Sequence, residues 1–132
     1  MAEFLLDTNH ASKLMAREEP VTSRISHSEG NRFGISMTVL AELYYAVHAS
    51  RHYERNLRRL RTMASALLIW PFDEAAAEEF GRMQAEQKSA GLLIPPLDAQ
   101  IAAVARSRGL AILTSDHHFR FISGLDVDDW QS

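Results

Sequence analysis

Two rhythms of apolar positions alternate along this chain. Short continuous apolar runs fall at residues 3–6, 33–36, 67–70 and 110–114. Runs of that length, without polar alternation, mark strands covered on both faces. Between them, apolar residues recur at helical spacing. Residues 11–17 fit a short helix, and a second follows Pro20. Ser36 or Thr38 opens a helix over residues 39–49, in which Leu40, Leu43, Tyr44 and Val47 share a face. From about Tyr53 another stripe runs through Leu57, Leu60, Met63, Ala64 and Leu67. Asp73 caps a long helix that Gly91 stops, and Pro95-Pro96 introduces residues 97–108, which Gly109 ends. That last helix is apolar on most sides and is expected to wedge against a sheet. Residues 125–130 supply a final edge strand. Strands alternating with helices predict an α/β fold, with a central parallel sheet flanked by helices on both faces.

Composition narrows the setting. A length of 132 residues fits one domain spanning residues 1–132. An apolar fraction of 46% with 23% charged residues is that of a folded globular chain and excludes disorder. The net charge of −3 gives no global attraction to nucleic acid or an anionic membrane, so polyanion binding requires a local patch or a bound cation. The absence of cysteine excludes disulfides and thiolate metal sites, and fits a reducing cytoplasm. The opening MAEFLLDTN lacks the basic and apolar regions of a signal peptide. No apolar run approaches the ~20 residues of a membrane helix. A cytoplasmic chain with no membrane partner is expected.

The acids then change the picture. Open parallel sheets bind ligands at the carboxyl ends of their strands. Asp7 follows the first apolar run in FLLDTN, and Asp116 follows the run at 110–114 in ILTSD. Glu42 lies about one turn into the helix after the second run, and Asp98 lies in the first turn after Pro95-Pro96. Each also has an ordinary explanation, since Asp caps helices and shapes turns, and an acid early in a helix suits its dipole. Four acids that all follow apolar elements and can meet at one sheet edge outweigh those separate explanations. Gathered carboxylates repel one another, and a divalent cation cancels the cost. All-oxygen donor sets suit Mg²⁺ and Mn²⁺, which serve phosphodiester cleavage.

The segments FLLDTN, SMTVLAELYYAV and IPPLDAQIAAVARSRGLAILTSDHHF resemble the PIN-domain ribonucleases, specifically the VapC-type toxins of bacterial toxin–antitoxin modules. The resemblance covers nearly the whole chain. It implies an acidic cleft holding Mg²⁺ or Mn²⁺, endonucleolytic cleavage of RNA (tRNA or ribosomal RNA among the targets), a homodimer, and inhibition by a VapB-like antitoxin bound over the cleft. By this match Asp7, Glu42, Asp98 and Asp116 form the acidic quartet, with Asp7 and Asp98 the firmest metal ligands. Thr8, Asn9, Thr114 and Ser115 are candidates to orient the carboxylates by hydrogen bonds. Some relatives carry Asn at the last acidic position, where this chain has Asp116.

Other features have plainer expected roles. His117 and His118 read as loop histidines beside an anchoring Phe119, although His can also bind metal or protonate a leaving group. Arg51, Arg55, Arg58, Arg59 and Arg61 are expected on a solvated helix face, with phosphate or acidic-partner contact as the alternative. A haloacid-dehalogenase-like phosphatase also places Asp after its first strand, but it uses a second Asp two residues on, where this chain has Asn9. A catalytically inactive PIN-like binding module is disfavoured because all four acids are present.

Overall fold

The computed structural model describes residues 2–131. Among these residues five strands make one sheet: β1 (Glu3–Leu6), β2 (Arg32–Ser36), β3 (Leu68–Trp70), β4 (Ala111–Leu113) and β5 (Val127–Asp128). All neighbours pair in parallel, in the order β3-β2-β1-β4-β5. β1 is central, with Phe4 opposite Phe33 on one side and Ala111 on the other. Leu5, Leu6, Ile35, Ile112 and Leu113 are all fully buried, which is why these strands read as continuous apolar runs.

Among the described residues six α-helices cover the sheet: α1 (Thr8–Met15), α2 (Val21–Ser26), α3 (Met37–His48), α4 (Tyr53–Ser65), α5 (Glu74–Ala90) and α6 (Pro96–Arg108). The chain steps from β1 to β2 to β3 in one direction, then crosses back over β1 to reach β4. Right-handed crossovers therefore put α1 to α4 on one face and α5 with α6 on the other. The packing agrees: α1 touches α2, α3 and α4, while α5 and α6 pack on each other. The reversal makes the β1–β4 boundary a topological switch point, where an open α/β sheet leaves a crevice at its strand ends.

Local chemistry sets the helix ends. Asp7, Ser36 and Asp73 cap α1, α3 and α5, accepting from the His10, Val39 and Ala76 amides at 2.8, 3.2 and 3.0 Å. Gly91 and Gly109 close α5 and α6 in the left-handed region that glycine alone adopts freely. Of the two residues expected to open α3, Ser36 is the cap, and the Thr38 hydroxyl donates across to Gln100 Oε1 on α6 at 2.9 Å. α6 is the expected wedge: Ala99, Ile101, Ala102, Ala103, Val104 and Ala105 are essentially inaccessible. Gly34 lets the edge of the sheet close, because a Cβ there would lie 2.5 Å from the Leu68 carbonyl and 2.6 Å from the Trp70 ring.

The final strand is shorter than the expected span of 125–130. The Asp128 carboxylate accepts from the Asp129 amide at 2.8 Å and from Trp130 Nε1 at 3.0 Å, which turns the chain out of the ladder. Trp130 then packs on Phe4 and Phe33, with centroids 5.0 and 5.6 Å away, and the Arg24 guanidinium lies over its ring. The segment after β4 is also more ordered than a loop, forming a 3₁₀ turn at His117–Phe121 around the buried Phe119.

Candidate active site

The strand ends at the switch point place the acids. Asp7 leaves β1, and Thr114 and Asp116 leave β4 beside it. Only 6% of Asp7 is exposed. Its Oδ1 accepts the His10 amide as the cap of α1, and its Oδ2 accepts the Thr114 hydroxyl. The same Thr114 oxygen accepts the Asp116 amide at 3.0 Å, so one hydroxyl sets both acids relative to each other. Glu42 reaches in from α3, where its Oε1 accepts the Thr8 hydroxyl at 2.7 Å. Asp98 enters from the first turn of α6.

The other three acids all lie near enough to act on the charge of Asp98. Partial burial raises the Asp98 carboxyl above the ordinary aspartate range, and the charges of Asp116, Glu42 and Asp7 push the same way. His118 opposes that rise. Donor atoms of Asp98, Asp116 and His118 all lie within 4.8 Å of one another. His118 Nδ1 is 3.0 Å from Asp116 Oδ1, and its backbone amide donates to the same oxygen at 2.9 Å. The 3₁₀ turn thus brings His118 to the cluster, although its side chain, like that of His117, is exposed.

The expected supporting residues divide. Thr8 and Thr114 hold Glu42 and Asp7 directly. Asn9 is exposed at the start of α1. Ser115 donates to Asp129 Oδ1 at 2.9 Å instead of to a member of the quartet. His10 was not anticipated: it is fully buried, with Nδ1 3.3 Å from Asp7 Oδ1. In sequence it is one polar residue on the face of α1 that also carries Ala11 and Leu14, a weak signal without the contact.

Two grooves mark the surface, one beside this chemistry and one remote from it. One of about 590 Å³ borders the cluster, lined by Thr8, Glu42 and Gln100 and by the exposed side chains of Met37, Tyr45 and Leu97. The larger, about 980 Å³, lies at the opposite, amino ends of β2 and β3. Its floor includes Leu14, Ile25 and Met63, and Arg55, Arg58 and Arg59 stand on its rim. Those arginines are exposed, as are Arg51 and Arg61, but only part of the basic run faces plain solvent.

Residues 4–125 match the PIN domain family. The chain is 35% identical over 132 residues to the tRNA(fMet)-specific endonuclease VapC of Shigella flexneri, covering 98% of this chain and 99% of that one. It is 33% identical to ribonuclease VapC2 of Haemophilus influenzae with the same coverage. Among solved structures, DNA-bound VapBC from Salmonella typhimurium superposes with a TM-score of 0.91 at 32% identity, over 98% of this chain and 99% of that one. VapBC2 from Rickettsia felis, bound to a promoter DNA fragment, gives a TM-score of 0.91 at 27% identity, over 97% and 98%. These likenesses displace the phosphatase alternative. The chain belongs to the PIN-domain family, as a VapC-type ribonuclease.

Proposed function

We propose that a single PIN domain over residues 1–132 uses Asp7, Glu42, Asp98 and Asp116 to hold Mg²⁺ or Mn²⁺ and hydrolyses RNA as the toxin of a toxin–antitoxin module. The observation that carries this reading is Asp98, a carboxyl raised by burial and by three other acids beside it. Mutual repulsion of this kind is what a dication removes, and a donor set dominated by carboxylate oxygens suits a hard ion. When bound, the ion would neutralise charge at the phosphate and make a water acidic enough to attack it. The chain's own groups prepare the place. Thr114 holds Asp7 and the turn at Asp116, Thr8 holds Glu42, and His118 adds a nitrogen donor at the cleft mouth.

The partners follow from the same reading. The relatives named for tRNA(fMet) make tRNA the first substrate to test. The structural neighbours named as VapBC complexes point to a VapB-like antitoxin. An antitoxin that covers the cleft gains a second anchor in the apolar groove with the arginine rim, where an amphipathic segment with acidic flanks fits both lining and charge. The exposed apolar side chains of Met37, Tyr45 and Leu97 form a patch suited to a second copy of the chain in a homodimer.

Purified protein is expected to cleave tRNA with Mg²⁺ or Mn²⁺ and to stop when EDTA is added. Asp7→Asn should lose cleavage yet stay folded, because Asn caps a helix about as well as Asp. Cleavage that persists in EDTA, or RNA left intact under every metal, would overturn this proposal; in the second case the inactive binding module takes its place.

A further inference from the structure

His10 is fully buried in the first turn of α1, and the chemistry above leaves it unused. Its Nε2 accepts the Trp130 backbone amide at 3.1 Å, so the ring proton belongs on Nδ1. That nitrogen lies 3.3 Å from Asp7 Oδ1 and 3.2 Å from Gln131 Nε2, and of the two only the carboxylate can accept its proton. Asp129, 3.6 Å from Nε2, accepts both the Ser115 hydroxyl at 2.9 Å and the Gln131 amide at 2.8 Å. Burying an imidazole costs free energy that an aliphatic side chain at the same place would not. Here Nδ1 lies against a site carboxylate and Nε2 accepts from the C-terminal segment, which also reaches Nδ1 through Gln131.

We infer that His10 is a positioning residue: it fixes the Asp7 carboxylate for metal binding and makes residues 129–131 part of the active site. The inference rests on the metal reading proposed above. Thr114 holds one Asp7 oxygen, the His10 backbone amide holds the other, and the His10 ring lies 3.3 Å from that second oxygen. Donors on both oxygens keep the carboxylate in one orientation, so less ordering remains when a cation arrives. Ser115 joins the same network at one remove, through Asp129.

The test is Mn²⁺ affinity, measured by isothermal titration on the full chain and on three variants, together with steady-state RNA cleavage. His10→Leu removes both ring contacts, and His10→Gln places its amide nitrogen near Nε2 instead of Nδ1. Both are expected to weaken Mn²⁺ binding about tenfold or more, and to lower kcat with KM for RNA unchanged. His10→Asn puts an amide nitrogen near Nδ1, and is expected to restore affinity to within about threefold. If His10→Leu does not fold, the Asn and Gln variants carry the comparison by themselves. Equal Mn²⁺ affinities in every folded variant, with only the melting temperature lowered, would overturn the role of His10 and leave the metal reading standing. A wild-type chain that binds no Mn²⁺ would overturn both.

Discussion

Asp98 is the acid whose surroundings oppose its charge. Burial comes first among the causes, followed by Asp116, Glu42 and Asp7. The folded chain therefore holds the Asp98 proton more tightly than the unfolded chain does. Without metal, stability should be full below the ordinary aspartate range and fall as pH rises through the elevated value. Asp98→Asn removes the charge and with it that fall. Thermal melts in EDTA from pH 4 to 8 should show the variant more stable than wild type at the neutral end, with the difference shrinking in acid; a variant less stable than wild type at neutral pH would mean that the bare cluster is unstrained. Wild type, but not the variant, should gain most from added Mn²⁺. Asp7 shows how far single residues were legible in the sequence. The structure shows it as the helix cap, and the site role proposed above is compatible with that, because the oxygen that caps α1 belongs to a side chain at the mouth of the cleft. The contact between His10 and Asp129 was not legible, since it joins residues far apart in sequence.

At the scale of elements, α6 must be held firmly because it carries Asp98. Arg106, near its C-terminal end, pairs with Glu79 and Glu86 of α5 and donates to the Ser123 carbonyl at 3.0 Å. The Arg106 and Glu79 side chains are only 11% and 14% exposed, so these bonds are shielded more than a surface pair. Arg106→Ala should destabilise the fold by about 1.5–3 kcal/mol, the range for hydrogen bonds to charged groups, as read from urea unfolding. A change no larger than that of Arg82→Ala, which breaks exposed pairs to Glu78 and Glu79 on α5, would show the bracket to be ordinary surface charge. The positions of β1 to β4 and of the long helices were readable from apolar runs and from capping residues. The shortness of β5 and the 3₁₀ turn were not. Both depend on carboxylates of Asp128 and Asp116 capturing nearby donors, and the apolar pattern does not record such local bonds.

Across the whole molecule, the charge is sorted by end. The carboxyl ends of the strands collect acids, while the amino ends of β2 and β3 carry a groove with an arginine rim, in a chain of net charge −3. Among the described residues no helix is long and apolar enough to cross a membrane, and the apolar floor of that groove is the docking place proposed above for the antitoxin. Composition alone could not separate a solvated arginine face from a docking one, since the difference lies in what α4 leaves open between itself, α1 and α2. If the antitoxin anchors there, Arg55→Glu with Arg58→Glu should weaken toxin–antitoxin binding by about 10–100-fold, most steeply at low salt, where charge pairing is least screened. RNA cleavage by the free toxin should be unchanged, because the acidic cleft lies at the far ends of the strands. Affinity titrations at two salt concentrations, paired with cleavage assays of the free variant, separate the cases. Loss of cleavage with antitoxin affinity intact would reassign the arginines to the RNA phosphates, because a basic rim that steers the substrate must act on the free toxin and one that steers the inhibitor need not.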